Sequence, residues 1–237
     1  MISLPKIEHP IYRIKIPSIG KDHSFRPFLV KEEKLLLMAK ESNNNNDIFI
    51  SIKQVINNCS LDSNLNIDKL SIFDLEYIFL RLRAFSVDNI VKISYRDYED
   101  DELYDFEVEL DKVEVKFPEN KNNVIKINEN TGIIMKYPSA SLYSDEDFLN
   151  LEKEHLFKLI VKCIDKIYYD EEIYDAKDIK QSELEEFLEN LSVGVFKEVN
   201  DFLKNVPKLE YVIKYTNKKG SEREIYLNSL NDFFTWR

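Results

Sequence analysis

The sequence predicts an α+β fold, with helices packed around short antiparallel β-hairpins and no regular βαβ alternation. Segments that alternate apolar and polar residues stand between segments with helical spacing of apolar residues. Seven prolines and only four glycines punctuate the 237 residues, so most of the chain should be regular structure. The composition, 43% hydrophobic and 12% aromatic, is typical of a globular chain that can bury a core.

The first fifth of the chain predicts a β-hairpin followed by a helix. Residues 11–16 alternate isoleucines with basic side chains, as in a half-buried strand. The Pro/Gly turn at 17–20 reverses the chain, and residues 23–28 can form the returning strand. From Val30 the apolar residues follow helical spacing. The asparagine run at 42–46 cannot pack, so we expect an exposed loop there.

Two more helices are predicted before residue 88. The first covers about residues 47–58, where isoleucines and a valine share one face. The second covers residues 71–85, where Ser71 can cap the helix and Asp74 is its reciprocal partner three positions later. The apolar side chains of this second helix should be central to the core: Ile72, Leu75, Ile78, Phe79, Leu82 and Phe85.

The middle of the chain predicts β-structure. Residues 89–95 and 104–116 alternate well, and the acidic run 97–102 connects them as a hairpin tip. Two shorter strands are expected at 124–127 and 132–137.

The last third predicts mainly helices and one further hairpin. Ser144 with Asp147 opens one helical segment, and helices are expected at 156–167, from Ser182 (capped with Glu185) to Leu191, at 193–205 and at 230–234. The hairpin pairs residues 209–215 with residues 223–227 across a turn at 217–220.

These elements suggest three sections of chain. They are an N-terminal β-hairpin plus helical segment over residues 1–88, an antiparallel β section over 89–140, and a helical segment over 141–237 that ends in a β-hairpin and a short helix.

The net charge of the chain indicates which classes of partner it can bind. The chain carries a formal charge of −11, which argues against a general nucleic-acid binder, because such proteins need a positive face. Residues 1–40 are the exception, with eight basic and four acidic side chains, a net +4 that leaves −15 for the remainder. This asymmetry suits head-to-tail docking or an acidic partner, and an ordinary solvated surface is the alternative.

Cysteine usage and hydropathy indicate the compartment. Cys59 and Cys163 lie far apart beside apolar sequence, so we expect reduced thiols in the core rather than a disulfide. Lys6 and Glu8 interrupt any signal-peptide core, and no window approaches the ~20 apolar residues of a membrane span. We therefore expect a cytoplasmic protein without a membrane partner.

No pattern for catalysis or for a cofactor stands out. The three histidines are scattered, the cysteines have no Cys-x-x-Cys spacing, and residues 97–102 lack the frame of a calcium loop. There is no Gly-x-Ser-x-Gly nucleophile motif and no glycine-rich phosphate loop. The sequence therefore predicts no enzyme, no metal, no cofactor and no small-molecule ligand.

Two segments remain as candidate contact sites for other proteins. The acidic run 170–178, continued by four glutamates up to Glu189, is either a solvated helix face or a dock for a basic neighbour, such as another copy's N-terminal segment. The segment 25–28 either packs two aromatic rings into a strand-to-helix corner, with Arg26 in solvent, or faces a partner. The predicted partner-binding residues are Phe25, Arg26, Phe28, Lys31 and Lys34.

Several separated blocks of sequence resemble the baseplate hub and tail assembly proteins of T-even-like contractile-tailed bacteriophages. The blocks are Phe25–Ala39, Ser51–Cys59, Phe73–Ala84, Tyr168–Asp178, Pro207–Leu209 and Asp232–Phe234. The resemblance implies a non-enzymatic component of the central baseplate, or of the pathway that builds it, with other phage tail proteins as partners. It also implies synthesis in the host bacterial cytoplasm and a place in the virion tail baseplate.

The chain departs from that family at one point. Relatives look as if they carry Cys-x-x-Cys pairs in their hairpins, in the manner of zinc-ribbon knuckles. The corresponding residues here, 94–98 and 215–220, include no cysteine. We therefore expect these hairpins to be held by backbone pairing and aromatic packing, and elemental analysis to find well under one zinc per chain.

Three functional hypotheses follow. The first is a structural hub component that acts through protein surfaces, and the second is a tail assembly chaperone absent from the mature virion. A chaperone should show an exposed apolar groove, whereas a hub component should show flat interfaces with polar rims. The third, an unrecognised hydrolase, has no visible set of convergent catalytic residues.

Overall fold

Seven helices and eleven strands are found within residues 7–42, 44–119, 122–142 and 153–234, which the computed structural model describes. The helices are α1 (Val30–Glu41), α2 (Asn45–Cys59), α3 (Ile72–Ser86), α4 (Lys153–Lys162), α5 (Gln181–Glu189), α6 (Val193–Lys204) and α7 (Leu230–Phe233). None of the helices in these ranges combines the length and apolarity needed to cross a membrane.

The strands form four small antiparallel sheets, which confirms the α+β prediction. They are β1 (Tyr12–Lys15), β2 (Asp22–Phe25), β3 (Ile90–Arg96), β4 (Leu103–Glu109), β5 (Glu114–Lys116), β6 (Val124–Lys126), β7 (Thr131–Met135), β8 (Ile164–Tyr169), β9 (Glu172–Asp175), β10 (Lys208–Thr216) and β11 (Glu222–Leu227). The sheet orders are β1-β2, β3-β4, β11-β10-β5 and β6-β7-β8-β9.

The chain packs as two compact units. Unit 1 consists of residues 1–116 and 208–237, and unit 2 consists of residues 117–207. This partition cuts across the three sections suggested by the sequence (1–88, 89–140 and 141–237). The reason is the pairing of β10 with β5, which returns the C-terminal hairpin to the N-terminal part of the chain.

Helix α3 lies at the centre of unit 1 and contacts α2, β1, β5 and β10. The predicted core positions Leu75, Ile78, Phe79 and Leu82 are buried. The Phe79 ring lies 5.6 Å from the Phe28 ring, measured between centroids. Because its broad apolar surface packs against several elements, α3 organises this core.

The predicted cap of α3 is confirmed and has a second use. The Ser71 amide donates to Asp74 Oδ2 at 3.1 Å, and the amide of Ser18 donates to Asp74 Oδ1 at 2.9 Å. Burial raises the pKa of Asp74, and these hydrogen bonds partly oppose that rise. One buried carboxylate thus starts the helix and fastens the β1–β2 turn to it.

Unit 2 is a four-stranded sheet packed against helices. Buried side chains come from both layers, among them Ile133 on β7, Ile160 on α4 and Val199 on α6. Two stacked aromatic pairs complete the packing: Tyr137 with Phe202, and Phe157 with Phe196.

The prediction of a helix over residues 156–167 is wrong at its end, because the helix stops at Lys162 and β8 begins at Ile164. Ile134 pairs with Lys166 but Met135 pairs with Ile164, so β8 holds Asp165 as one extra residue. This bulge turns both Ile164 and Ile167 toward the core. A spacing of three between buried residues looks helical but here comes from a bulged strand.

The acidic run 170–178 is not a helix face. Residues 170 and 171 form the β8–β9 turn, β9 follows, and Ala176–Asp178 form a 3₁₀ turn. The glutamates up to Glu189 do lie on a helix, α5.

Three smaller predictions also change. The strand expected over 104–116 is broken by a 3₁₀ turn at Leu110–Lys112 into β4 and β5, which join different sheets. Helix α5 begins after Lys180, so Ser182 lies inside its first turn and is not the cap. Within the asparagine run, Asn44 caps α2 through its side chain. The predicted opening at Ser144 and Asp147 falls outside the described residues.

The remaining elements match their predictions. The hairpins β1–β2, β3–β4, β6–β7 and β10–β11 and the helices α1, α2, α6 and α7 all form within a few residues of the expected bounds. Cys59 and Cys163 are buried free thiols, as predicted.

We expect Phe79→Ala to lower the free energy of unfolding by about 3–5 kcal/mol, because it leaves a cavity between α3 and Phe28. Urea unfolding followed by circular dichroism measures the change. Leu103→Ala, at an exposed side chain on β4, is the control and should stay within about 0.5 kcal/mol of the parent. Equal stabilities of the two variants would contradict the core assignment.

Candidate interaction surface

The corner between β2 and α1 contains the predicted partner-binding residues, and its aromatic rings point inward. Phe25 is fully buried and Phe28 nearly so. The Phe25 backbone also forms a β-bridge with Ser60, which follows α2. The two rings therefore pack the strand-to-helix corner, as one of the two interpretations expected, and neither offers a surface contact.

Arg26 is part of a buried ion pair, so the expectation that it lies in solvent is wrong. Its Nη2 lies 2.9 Å from Glu32 Oε1, and its Nη1 donates to Glu32 Oε2 at 3.2 Å. The Arg26 side chain is 14% exposed and the Glu32 side chain 0%. The amide of Leu29 also donates to Glu32, at 2.9 Å. This bidentate pair fixes the start of α1.

The ion pair sets the titration of both groups. Burial would raise the pKa of Glu32, but the hydrogen bonds from Arg26 and from the Leu29 amide, together with the charge of Arg26, lower it. The hydrogen bond to Glu32 raises the pKa of Arg26. Both groups therefore stay charged at neutral pH, and sequence spacing gave no sign of this pairing.

Lys31 and Lys34 are the exposed members of the predicted set. The Lys31 side chain is 66% exposed, and its Nζ lies 3.7 Å from Glu32 Oε1. Lys34 is exposed on the same helix. A partner-binding role stays a prediction for these two lysines.

Helix α1 also presents an apolar face that sequence analysis did not recognise. Val30, Leu37 and Met38 are 87%, 54% and 59% exposed, while Leu36 and Ala39 are buried on the opposite side. Residues 30, 34, 37 and 38 share one face at 3.6 residues per turn. We call Val30, Lys31, Lys34, Leu37 and Met38 the α1 outer face. Which side of α1 is exposed could not be read from the sequence, because apolar residues occur all around this helix.

A second polar arrangement joins the tips of the hairpins β3–β4 and β10–β11, and we call it the hairpin clasp. Its hydrogen bonds run from Tyr215 Oη to Asp97 Oδ2 (2.6 Å), from Asn217 Nδ2 to Glu99 Oε2 (2.7 Å) and from the Lys218 amide to Asp100 Oδ2 (3.0 Å). Arg223 pairs with Glu99, and Lys218 Nζ lies 2.8 Å from Glu102. The acidic run 97–102 therefore has partners within the molecule.

These hairpins were expected to be held by backbone pairing and aromatic packing, and the clasp adds side-chain hydrogen bonds to both. The Tyr215 ring does pack against Tyr104 and Phe106, with centroids 5.0 and 5.2 Å apart. Charged and amide side chains add cross-hairpin bonds that the sequence analysis did not predict. Pairing between residues over 110 positions apart leaves no local sequence signal.

Asp97 is the buried centre of the clasp. Its carboxylate accepts from Tyr215 and from the Glu99 amide, and Arg223 Nε lies 3.4 Å away. The hydrogen bond from Tyr215 is the main cause that lowers the pKa of Asp97, with the Glu99 amide and the Arg223 charge adding to it against the effect of burial. Burial and the bond to Asp97 raise the pKa of Tyr215. The clasp thus joins the two hairpins through hydrogen bonds and through ion pairs between Arg223 and the carboxylates of the acidic run.

Among the described residues, no group of three or more His, Cys, Asp or Glu side chains could hold a metal ion. The expectation that the protein binds no zinc stays a prediction.

Comparison with known proteins gives one match. A family model described as T4 bacteriophage base plate protein matches residues 9–235. No curated protein and no solved structure matches the chain.

We expect Asp97→Asn to lower the melting temperature at pH 7, because it removes the charge that faces Arg223. The pKa of Asp97 is lower in the folded state than its ordinary value near 3.8. Its charge therefore stabilises the fold above that value, and this contribution is lost as the pH falls through the folded pKa. Melting curves between pH 2 and 7 should show the gap between parent and variant narrowing below about pH 4.

Glu198→Gln, at an exposed position on α6, is the matched control and should melt like the parent across this range. A gap for Asp97→Asn that is as large at pH 2 as at pH 7 would contradict the role of the Asp97 charge.

Proposed function

This chain belongs to the T4 bacteriophage base plate protein family, and from that premise we propose that it is a non-enzymatic structural component of the hub of a contractile tail baseplate. In this role the protein acts by binding other tail proteins through its surfaces. The family match spans both units, so both are parts of the baseplate protein.

The observation that carries the proposal is the α1 outer face. Three large apolar side chains stand in solvent on one side of a helix whose other side is already packed. Covering such a face with a partner removes apolar area from water, which favours association. Lys31 and Lys34 lie beside the apolar residues and supply the polar rim of a protein interface.

The outer face carries Lys31 and Lys34, and the same helix also exposes Glu33 and Glu41. Arg26 is paired with the buried Glu32, so its charge is not available to a neighbour. The available positive charges on this part of the chain are those of Lys31, Lys34 and the exposed basic residues of the first hairpin. Opposite charges steer two proteins into register and raise the association rate. The partner that fits this face is a tail protein with an apolar patch and carboxylates placed opposite Lys31 and Lys34.

The non-enzymatic part of the proposal rests on the state of the reactive groups. Burial raises the pKa of the Cys59 thiol to about 11, so that it is protonated at neutral pH. The carboxylates of the hairpin clasp are tied to Arg223, Tyr215 and backbone amides. These carboxylates serve the cohesion of the fold, which supports a role that acts through surfaces.

A tail assembly chaperone is the alternative, and its expected feature is an apolar groove that covers a partner's helix. The α1 outer face is instead the outward side of a single helix with lysines among its apolar residues. That shape suits the interface of a permanent component.

Mass spectrometry of purified virions separates the two roles. A hub component should be found at a copy number comparable to the other hub proteins. Absence from virions, together with presence in infected cells, would reject the hub role and favour the chaperone.

We expect Lys31→Glu combined with Lys34→Glu to block baseplate assembly while the purified protein keeps its melting temperature, since exposed substitutions usually change stability by no more than about 0.5 kcal/mol. The added repulsion should weaken binding mainly by lowering the association rate. The loss of binding should be smaller at high salt, because salt screens the repulsion. Arg26 is left unchanged, because its loss would strand the buried Glu32 at a cost of about 3–5 kcal/mol. Phage yield and electron microscopy of tails measure assembly.

The matched control reverses two exposed lysines elsewhere, Lys69→Glu and Lys197→Glu, which gives the same change in net charge. Normal assembly is expected from this control. Normal yield from the Lys31/Lys34 variant as well would show that the α1 outer face is not an interface.

A further inference from the structure

Strand β9 forms one edge of the sheet in unit 2. In the sheet order β6-β7-β8-β9 it is the last strand, and among the described residues β8 is its only strand neighbour. In an antiparallel pair, alternate residues turn their amide and carbonyl groups away from the neighbouring strand. These groups on the outer side of β9 can hydrogen-bond with an added strand.

The hairpin that carries this edge exposes large apolar side chains. Tyr169, Ile173 and Tyr174 are 55%, 63% and 44% exposed. Proteins usually protect a sheet edge with charged side chains, proline, a very short strand or a cover, and β9 is four residues long with Glu172 and Asp175 at its ends. Here the two residues at the middle of the edge strand are isoleucine and tyrosine, which favour pairing with another strand.

The apolar residues lie on both faces of the hairpin. Tyr174 is opposite the buried Ile167, so its face is continuous with the core side of the sheet. Ile173 is opposite Tyr168 on the other face, where the Tyr168 ring lies so close to Gly132 on β7 that a side chain there would collide with it. An added strand would therefore find apolar contacts on both of its own faces.

The edge is held in a fixed position. Asp170 adopts a left-handed backbone conformation in the turn, with φ 51°, and its amide donates to the Asn130 carbonyl at 2.8 Å. At the other end of β9, the 3₁₀ turn at Ala176–Asp178 contacts β8. A strand already in place costs less conformational entropy when a partner binds.

The charge around the edge selects the partner. Residues 165–178 contain six carboxylates and two lysines, and both lysines, Lys166 and Lys177, pair with Asp175. Among the described residues no ion pair engages Asp170 or Glu171 at the tip. A segment that lies along β9 thus meets negative charge, which favours lysine or arginine in that segment.

We propose that the free edge of β9 binds an extended, basic segment of another protein by strand addition. Backbone hydrogen bonds along β9 supply the pairing, Ile173 and Tyr174 contact alternate side chains of the segment, and the tip carboxylates attract its cations. This site lies in unit 2 and does not rest on the hub role. The α1 outer face lies in unit 1, so the two proposed sites are in different units.

The test uses the purified full chain and a fluorescein-labelled octapeptide of alternating lysine and valine. Fluorescence anisotropy should show binding, and an octapeptide of alternating glutamate and valine should bind at least about tenfold more weakly. The same lysine–valine octapeptide with every backbone amide N-methylated, which has the same charge but no amide donors, should also bind at least about tenfold more weakly. Hydrogen exchange should show slower exchange of the amides of residues 172–175 when the lysine–valine peptide is bound.

Ile173→Lys combined with Tyr174→Lys should lower the affinity for the lysine–valine peptide by about tenfold or more. The double substitution removes the apolar contacts and adds repulsion. Val193→Lys, at an exposed valine on α6 in the same unit, is the matched control and should bind like the parent. Circular dichroism melts establish that both variants fold.

Three results would overturn the proposal. One is equal binding of the N-methylated peptide, which would show that backbone pairing along β9 contributes nothing to binding. Another is unchanged exchange at residues 172–175 with peptide bound. The third is a dimer of this chain, formed through β9, that the peptide does not dissociate. Because these measurements do not involve virions, their failure is separate from failure of the hub proposal.

Discussion

Strand β10 has a neighbour on each side, and unit 1 depends on that arrangement. Its first three residues pair with β5, and residues 211–216 pair with β11. Its buried side chains Leu209 and Ile213 belong to the same core as α3, which contacts the strand directly. Near its end, Tyr215 reaches Asp97 and starts the hairpin clasp. Without β10, β5 would lose its only sheet partner among the described residues, and the tip of β3–β4 would lose its lock.

The charged residues of this chain fall into two groups that composition does not distinguish. Arg26 and Arg223 are used inside unit 1, where each pairs with carboxylates and holds a turn or a corner. Such pairs fix geometry, because breaking one leaves a charge without its partner. Lys31 and Lys34 in unit 1, and Asp170 and Glu171 in unit 2, remain open to solvent. The residues available for binding are therefore fewer than the count of charges suggests.

Local patterns in the sequence were enough for most of the fold. The capping box at Ser71, the apolar face of α3 and the alternation in β3 and β10 each depend on neighbouring residues, so the prediction held. The bulge at Asp165 could not be predicted, because it arises from register with β7, and it gave β8 the spacing of a helix. The buried pair of Arg26 with Glu32 and the clasp were missed for a similar reason. They depend on which distant groups meet in space, and residue types alone do not specify that.

The pairing of β5 with β10 also determines the order in which the chain can fold as it is made. Lys116, the last residue of unit 1 before unit 2, is opposite Lys208, the first residue after it. In the sequence, unit 2 is thus inserted between β5 and β10, two strands that pair within unit 1. All of residues 117–207 leave the ribosome before the first residue of β10 does, and domains generally fold as units during synthesis. Unit 2 can therefore fold while unit 1 is still open, and unit 1 closes only when β10 pairs with β5, whose residues emerged earlier.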